Sequence, residues 1–303
     1  MEIKKFAAID IGSNSVRLLI EHVIESKGAE PMFKKNSLIR VPVRLGADAF
    51  KSHRIPEATV KKLIEAMIGY KYIMKVNDVI HYKGCATSAM REASNGAEIV
   101  KRIEKEAGIK IEIISGNSEA SMIFNSQHFI ASNIGHDCLF VDVGGGSTEI
   151  TIFIKGKAVA ARSFDIGTIR VLSDKVSKDH WKELKDWVRK ETKDIRSFAL
   201  VGSGGNINRL FKMAEVKQGK PLSIDTLQDM VTNLKRYSVD DRMKLFDLNP
   251  DRADVIVPAG EIFLTLMKFV KATKIYVPKI GLSDGMVREV YKEYKSGKQN
   301  KLA

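Results

Sequence analysis

Cysteine is nearly absent from this chain, with two residues, Cys85 and Cys138, in 303. Both stand in apolar, strand-like runs without metal-ligand spacing, which excludes a disulfide framework and a thiolate metal centre and fits a reduced, cytoplasmic protein. No long apolar run opens the chain, so neither a signal peptide nor a membrane span is expected, and no membrane partner. Acid is in short supply as well. Lys and Arg number 50 against 37 Asp and Glu, a net charge of +13, and an excess of that size concentrates polyanions around the molecule, nucleic acid, anionic membranes and polyphosphate alike. The lysines are spread along the whole chain and no basic block interleaved with aromatics occurs, so a specific nucleic-acid groove is not expected. Linkers and low-complexity runs are missing too, which makes any junction between domains a hinge and not a tether.

What is present is a globular composition, 44% hydrophobic and 29% charged, long enough for two domains with ordinary cores. The chemistry concentrates in Leu139 to Ile154. An apolar strand carrying Asp142 runs into Gly144-Gly145-Gly146, then Ser147, Thr148 and a second alternating strand. An acid is fixed at a strand end, and the glycines bring bare backbone N–H groups, with two hydroxyls, close to an anion. Alone, this stretch reads equally well as a glycine hairpin. A second copy decides between the two: Phe6 to Ile20 repeats the grammar, with Asp10 at a strand end, then Gly12-Ser13-Asn14-Ser15, then another strand. Two such turns imply two halves of like fold facing each other across a cleft.

Strands are expected at residues 5–10, 16–24 and about 31–41, then a helix from Glu57 to Val76 burying Val60, Leu63, Ile64, Met67 and Met74, with Pro56 at its start. A strand from Asp78 to Cys85 runs into Ala86-Thr87-Ser88-Ala89-Met90-Arg91, where Arg91 is read as a loop guanidinium just past a strand end, suited to a bidentate phosphate contact or simply solvated. A helix over Ala97–Ala107 ends at Gly108, and a strand over Lys110–Ile114 leads to Ser115 and to Glu119 in the first turn of a helix that turns Ile123, Phe124 and Ile130 inward. Glu119 there could serve as a general base or merely complement the helix dipole.

In the second half, a strand over Ala158–Phe164 completes a repeat of the opening meander, followed by a turn at Asp165–Thr168. Ser177 is expected to cap a helix through Ile195 whose inner face is Trp181, Leu184, Val188 and Ile195. A strand over Phe198–Val201 delivers the glycine-rich turn Gly202-Ser203-Gly204-Gly205-Asn206. Ser223 opens a further helix, and Ser238 with Asp241 forms a capping box for the next. A long apolar helix spans Asp254–Lys271, a last strand Lys274–Val277, and Gly281–Gly285 turns into a terminal helix with a polar tail from Lys295.

The set Asp10 to Ser15, Ala86 to Arg91, Ile113 to Ala120, Val141 to Glu149, Gly202 to Asn206 and Gly281 to Glu289 resembles the exopolyphosphatase and guanosine pentaphosphate phosphohydrolase (Ppx/GppA) family, in order over nearly the whole chain. The resemblance implies an α/β protein of two ribonuclease H-like domains, as in the actin, hexokinase and Hsp70 superfamily, around an interdomain cleft. Its expected bounds are 1–128 and 129–286, with the terminal helix, about 287–303, packing back on the first domain. It implies hydrolysis of terminal phosphate from polyphosphate or guanosine pentaphosphate with Mg²⁺ or another divalent cation such as Mn²⁺. It gives Glu119 the place of the catalytic glutamate and Asp142 a role in catalysis and metal binding; Asp10, the matching strand-end acid, is read as a second metal candidate. Gly12 to Ser15, Gly144 to Thr148 and Arg91 take the phosphate-binding places, and a homodimer would suit a polymeric substrate. Family members often carry an acid at the position of Ser118 and an arginine at that of Ser121. The other readings are a sugar or acetate kinase of the same superfamily and a sensor that binds polyphosphate or an alarmone without turnover.

Overall fold

The computed structural model describes residues 1–122, 137–193 and 198–297. It divides into two compact units, Met1–Ser126 with Leu282–Ala303, and Gln127–Gly281.

The first unit opens with an antiparallel meander of β1 (Glu2–Ile11), β2 (Val16–Glu25) and β3 (Met32–Val41). Alternation and β-branched residues make these strands, and Phe6, Ala7, Ala8, Ile9 and Ile11 of β1 are all buried because the sheet is covered on both faces. Helix α1 (Leu45–Ser52) follows, then α2 (Glu57–Val76), whose buried face is Val60, Leu63, Ile64, Met67, Tyr70 and Met74. Strand β4 (His81–Ala86) lies parallel to β1, then α3 (Ser88–Glu92), α4 (Gly96–Ala107) and the short β5 (Glu112–Ile113), giving the order β3-β2-β1-β4-β5. Residues 116–122 are helical (α5), and the inward residues Ile123, Phe124 and Ile130 expected beyond them lie outside the described residues.

The second unit repeats this plan. Strands β6 (Cys138–Val143), β7 (Thr148–Ile154) and β8 (Lys157–Phe164) form the meander, followed by α6 (Thr168–Leu172) and α7 (Lys178–Thr192). Strand β9 (Ala199–Ser203) is parallel to β6, and then come α8 (Gly205–Met213), β10 (Leu222–Ser223), α9 (Ile224–Lys235), α10 (Val239–Phe246), α11 (Pro250–Ala253), α12 (Ile256–Phe269) and β11 (Lys274–Tyr276), in the order β10-β11-β9-β6-β7-β8. Helix α12 is largely apolar because most of it is buried, from Ile256 to Met267, with Glu261 and Thr265 on its half-buried side. On α7, Leu184 and Val188 are buried and Trp181 packs against the core; Ile195 lies outside the described residues.

The chain then returns to the first unit as α13 (Leu282–Lys295), which lies on β1, β2 and β4. Tyr291 and Tyr294 meet the Phe6 ring edge-on at 5.6 and 5.5 Å, and Lys83 bridges Glu289 and Glu293 at 3.3 and 3.1 Å.

Four sequence expectations change. Arg91 is on a helix, α3, and not in a loop. The stretch expected to turn at Gly281–Gly285 is helical from Leu282, with Gly285 buried inside the helix. At Ser238 the hydroxyl accepts the Asp241 amide and donates to its carboxylate, so the acid never reaches back to the backbone and the box is half made. The full box forms at Ser177, closed by His180. The expected strand at Lys110–Ile114 pairs only over Glu112–Ile113.

Candidate active site

Each meander turns through a loop of the same construction. In the first unit the Gly12 amide donates to the Ser15 carbonyl at 3.2 Å; in the second the Gly144 amide donates to the Ser147 carbonyl at 2.9 Å. Two carbonyls of each loop accept from the chain behind it. The Gly46 and Arg44 amides donate to the Ser13 and Asn14 carbonyls at 2.8 and 3.1 Å, and the Thr168 and Ile169 amides to the Gly144 and Gly145 carbonyls at 3.0 and 2.8 Å. In both units the donors come from the entry of the short helix after the third strand, α1 or α6. Carbonyls bonded in this way fix the shape of each loop, which turns without a left-handed residue.

Gly167 shows how close the second backing is. A Cβ there would lie 2.4 Å from the Gly145 oxygen, so only glycine fits. Arg170 completes it, a buried guanidinium whose Nε donates to the Gly146 carbonyl at 2.6 Å. Ser147, Thr148 and Ser15 are buried with their loops, and Ser15 Oγ has no hydrogen-bond partner. Ser13 Oγ pairs with Ser88 Oγ at 2.9 Å, tying the first loop to α3, the helix of Arg91.

The strand-end acids differ between the units. Asp10 stands opposite Arg17 on β2, its Oδ2 3.4 Å from Nη1. Burial raises the Asp10 pKa and Arg17 opposes that rise. Asp142 stands opposite a second acid, Glu149 on β7, so both carboxylates project to the same face. Ser163 Oγ donates to Glu149 at 2.8 Å. Close packing against Asp142 calls for glycine at position 204, whose φ is +107° and whose Cβ would come 3.2 Å from Asp142 Oδ1.

Among the described residues no cluster of three or more His, Cys, Asp or Glu is placed to hold a metal. Two opposed carboxylates nevertheless suit a hard cation that completes its shell with phosphate oxygens and water. The Asp142–Glu149 pair has the oxygen donors Mg²⁺ takes, and Asp10 stands beside Arg17.

Glu119 is buried at 7% exposure on α5. Its Oε2 lies 3.9 Å from Arg91 Nη1, which donates to the Ile114 carbonyl at 2.8 Å. Strand β5 and its following helix thus hold the acid beside the guanidinium of α3. Ser115 caps α5, accepting the Ser118 amide at 3.1 Å, with the Ser118 hydroxyl 2.9 Å from its own; Ser118 and Ser121 are both exposed. Reading the sequence missed Ser88, Arg170, Gly167 and the pairing of Glu149 with Asp142. The last was open to inspection, since a two-strand hairpin closed by Gly144–Ser147 puts Asp142 and Glu149 opposite each other.

The model of the Ppx/GppA phosphatase family matches residues 23–293. The chain belongs to that family. It is 30% identical over 291 residues to the bifunctional 3-dehydroquinate synthase/phosphatase of Fusobacterium nucleatum, a match over 85% of this chain and 42% of that protein. The chain thus spans under half the length of that relative. With exopolyphosphatase 1 of Mycobacterium leprae it shares 21% identity over 304 residues, covering 93% of this chain and 88% of the other. Among solved structures, the Ppx/GppA family member of Aquifex aeolicus superposes with a TM-score of 0.74 at 26% identity, over 96% of this chain and 99% of that one. Among the described residues no helix is long and apolar enough to cross a membrane.

Proposed function

We propose that this Ppx/GppA phosphatase releases terminal orthophosphate from inorganic polyphosphate, with guanosine pentaphosphate as the second candidate substrate. The observation that carries the reading is Glu119, a carboxylate held inside the first unit next to the Arg91 guanidinium and not left in solvent at a helix start. In this reading Glu119 aligns a water and takes its proton as the water oxygen attacks the terminal phosphorus and the bridging P–O bond breaks. The remaining Arg91 donors face the phosphoryl oxygens that Glu119 cannot neutralise. Ser13, Ser15 and the Gly12 turn in the first unit, and Gly145, Gly146 and Ser147 in the second, supply N–H and hydroxyl donors of the kind that stabilise charge on transferring phosphates, whereas the Thr148 hydroxyl donates to the Ile166 carbonyl and serves the loop itself.

Asp142 and Glu149 would hold Mg²⁺, which when bound supplies charge neutralisation to the phosphate oxygens. The two cysteines are free and buried, burial pushing both thiols up to about 12; unreactive thiols of this kind suit a cytoplasmic enzyme. The test is orthophosphate release by purified full-length protein from medium-chain polyphosphate, guanosine pentaphosphate or ATP, each with Mg²⁺. Release from polyphosphate exceeding that from the two nucleotides supports the reading, and absence of release from all three rejects it.

A further inference from the structure

A buried cation stands behind the second glycine turn. Arg170 of α6 is buried, and its Nε donates to the Gly146 carbonyl at 2.6 Å. Desolvating a guanidinium is costly, and the shape of the turn does not call for one. The Thr168 and Ile169 amides already hold the Gly144 and Gly145 carbonyls at 3.0 and 2.8 Å, and Gly167 brings the two stretches so close that a Cβ there would lie 2.4 Å from the Gly146 carbonyl carbon. A neutral donor would brace the Gly146 oxygen as well. What the arginine adds is charge.

Gly146 receives that charge at one side of a peptide, and Ser147 stands at the other. The peptide is trans, so its N–H points opposite to its C=O, and the Ser147 amide is directed away from the guanidinium. Ser147 is buried, and among the described residues its amide has no acceptor. A buried donor without an acceptor is costly to keep. Bonding a cation to the carbonyl polarises the whole peptide and makes its N–H a stronger donor, because hydrogen bonds in a chain reinforce one another.

We propose that Arg170 is a positioning residue of the phosphate site, which acts through the Gly146–Ser147 peptide and strengthens the Ser147 amide as a donor to a phosphoryl oxygen. The proposal rests on the reading above in which this turn holds phosphate, and adds to it the residue that sets how strongly the turn does so.

The test follows one peptide. Glycine precedes serine three times in the chain, at 12–13, 146–147 and 202–203. Full-length protein labelled at the glycine carbonyl carbon and the serine nitrogen therefore gives three linked magnetic-resonance signals, assigned by the one that disappears in Ser13→Thr and in Ser203→Thr, and the pairs other than 146–147 serve as internal controls. Wild type is compared with Arg170→Lys, which keeps the charge, and with Arg170→Gln, which keeps a donor and loses the charge, each with and without inorganic orthophosphate. In Arg170→Gln the Gly146 carbon and Ser147 nitrogen signals should move upfield while the two control pairs stay in place, and orthophosphate should bind about tenfold more weakly. Arg170→Lys should lie between that variant and wild type in both measurements.

A 146–147 signal at the wild-type position in Arg170→Gln, or wild-type orthophosphate affinity there, would overturn the relay. Equal losses in the two variants would overturn it too, since a purely structural role takes no account of the charge. Should Arg170→Gln not fold, Arg170→Lys decides alone: its bond to Gly146 is weaker, and an unmoved 146–147 signal overturns the relay. If wild type releases no phosphate from polyphosphate, guanosine pentaphosphate or ATP while signal and orthophosphate affinity respond as expected, the hydrolase reading fails and the relay stands.

Discussion

Glu119 is held by covalent neighbours as much as by contacts: Ser115 caps the helix that carries it, and the Ile114 carbonyl just before that cap fixes Arg91. Such a carboxylate is positioned at no cost when substrate arrives, which is the condition for general-base catalysis. Glu119→Gln keeps the shape and removes the basicity. It should lower kcat by about 10²–10⁴-fold while KM moves only a few-fold, because the proposed function leaves binding to the loops and to Arg91. Phosphate release near the wild-type rate would reject Glu119 as the base. At this scale the sequence was legible wherever a residue's neighbours in the chain are also its neighbours in space, as for Asp142 and its glycines. It was opaque for Ser88 and Arg170, whose partners Ser13 and Gly146 are brought to them by tertiary folding.

Among the elements, the meanders were readable from apolar alternation and from the glycine turns that close them, whereas α1 and α3 were not. Both are short. Helix α1 begins after a left-handed Arg44 with no side-chain cap, and α3 is too brief to show a period. Helix α13 was anticipated but placed too late, because Gly281 and Gly285 punctuate the sequence as a turn would; the structure buries Gly285 against the first unit instead.

The start of that helix sets a carboxylate, Asp284, beside a second one, Glu21 of β2, with Lys35 of β3 and Arg288 of α13 the cations nearby. Burial first, then Asp284, pushes the Glu21 pKa from 4.5 to about 7, with Lys35 and Arg288 opposing. The folded state therefore holds a proton that the unfolded chain releases above pH 4.5, and stability falls as pH rises from there through about 7. The loss amounts to at most about 3 kcal/mol. Glu21→Gln keeps the volume and cannot ionise. Its melting temperature should exceed that of wild type at pH 8 and match it or fall below at pH 5, and a wild-type protein with the same melting temperature as the variant at both pH values would refute the buried acid.

For the whole molecule, the order of the chain matters as much as its content. The first unit is discontinuous, residues 1–126 completed by 282–303, so its last element is made after the entire second unit. Until then β1 lacks the aromatic cover of Tyr291 and Tyr294 over Phe6, Phe33 lacks Tyr291 at 5.6 Å, and Lys83 lacks both glutamates. The second unit needs nothing from residues 282–303 for its own sheet, whose strands all lie between Cys138 and Tyr276. A chain ending at Gly281 should thus separate the two stabilities. Its second unit should melt as in the full protein, while the first unfolds at a temperature lower by 10 °C or more, on the order expected when two core-facing tyrosines, the apolar face of α13 and a partly buried ion pair are removed together. Calorimetry of the truncated chain checks this, and limited proteolysis should cut first between residues 1 and 126. A single transition at the full-length temperature would mean that α13 contributes nothing to the unit on which it lies. The split outcome would instead show that the unit carrying Glu119 is completed only when the end of the chain comes back to it.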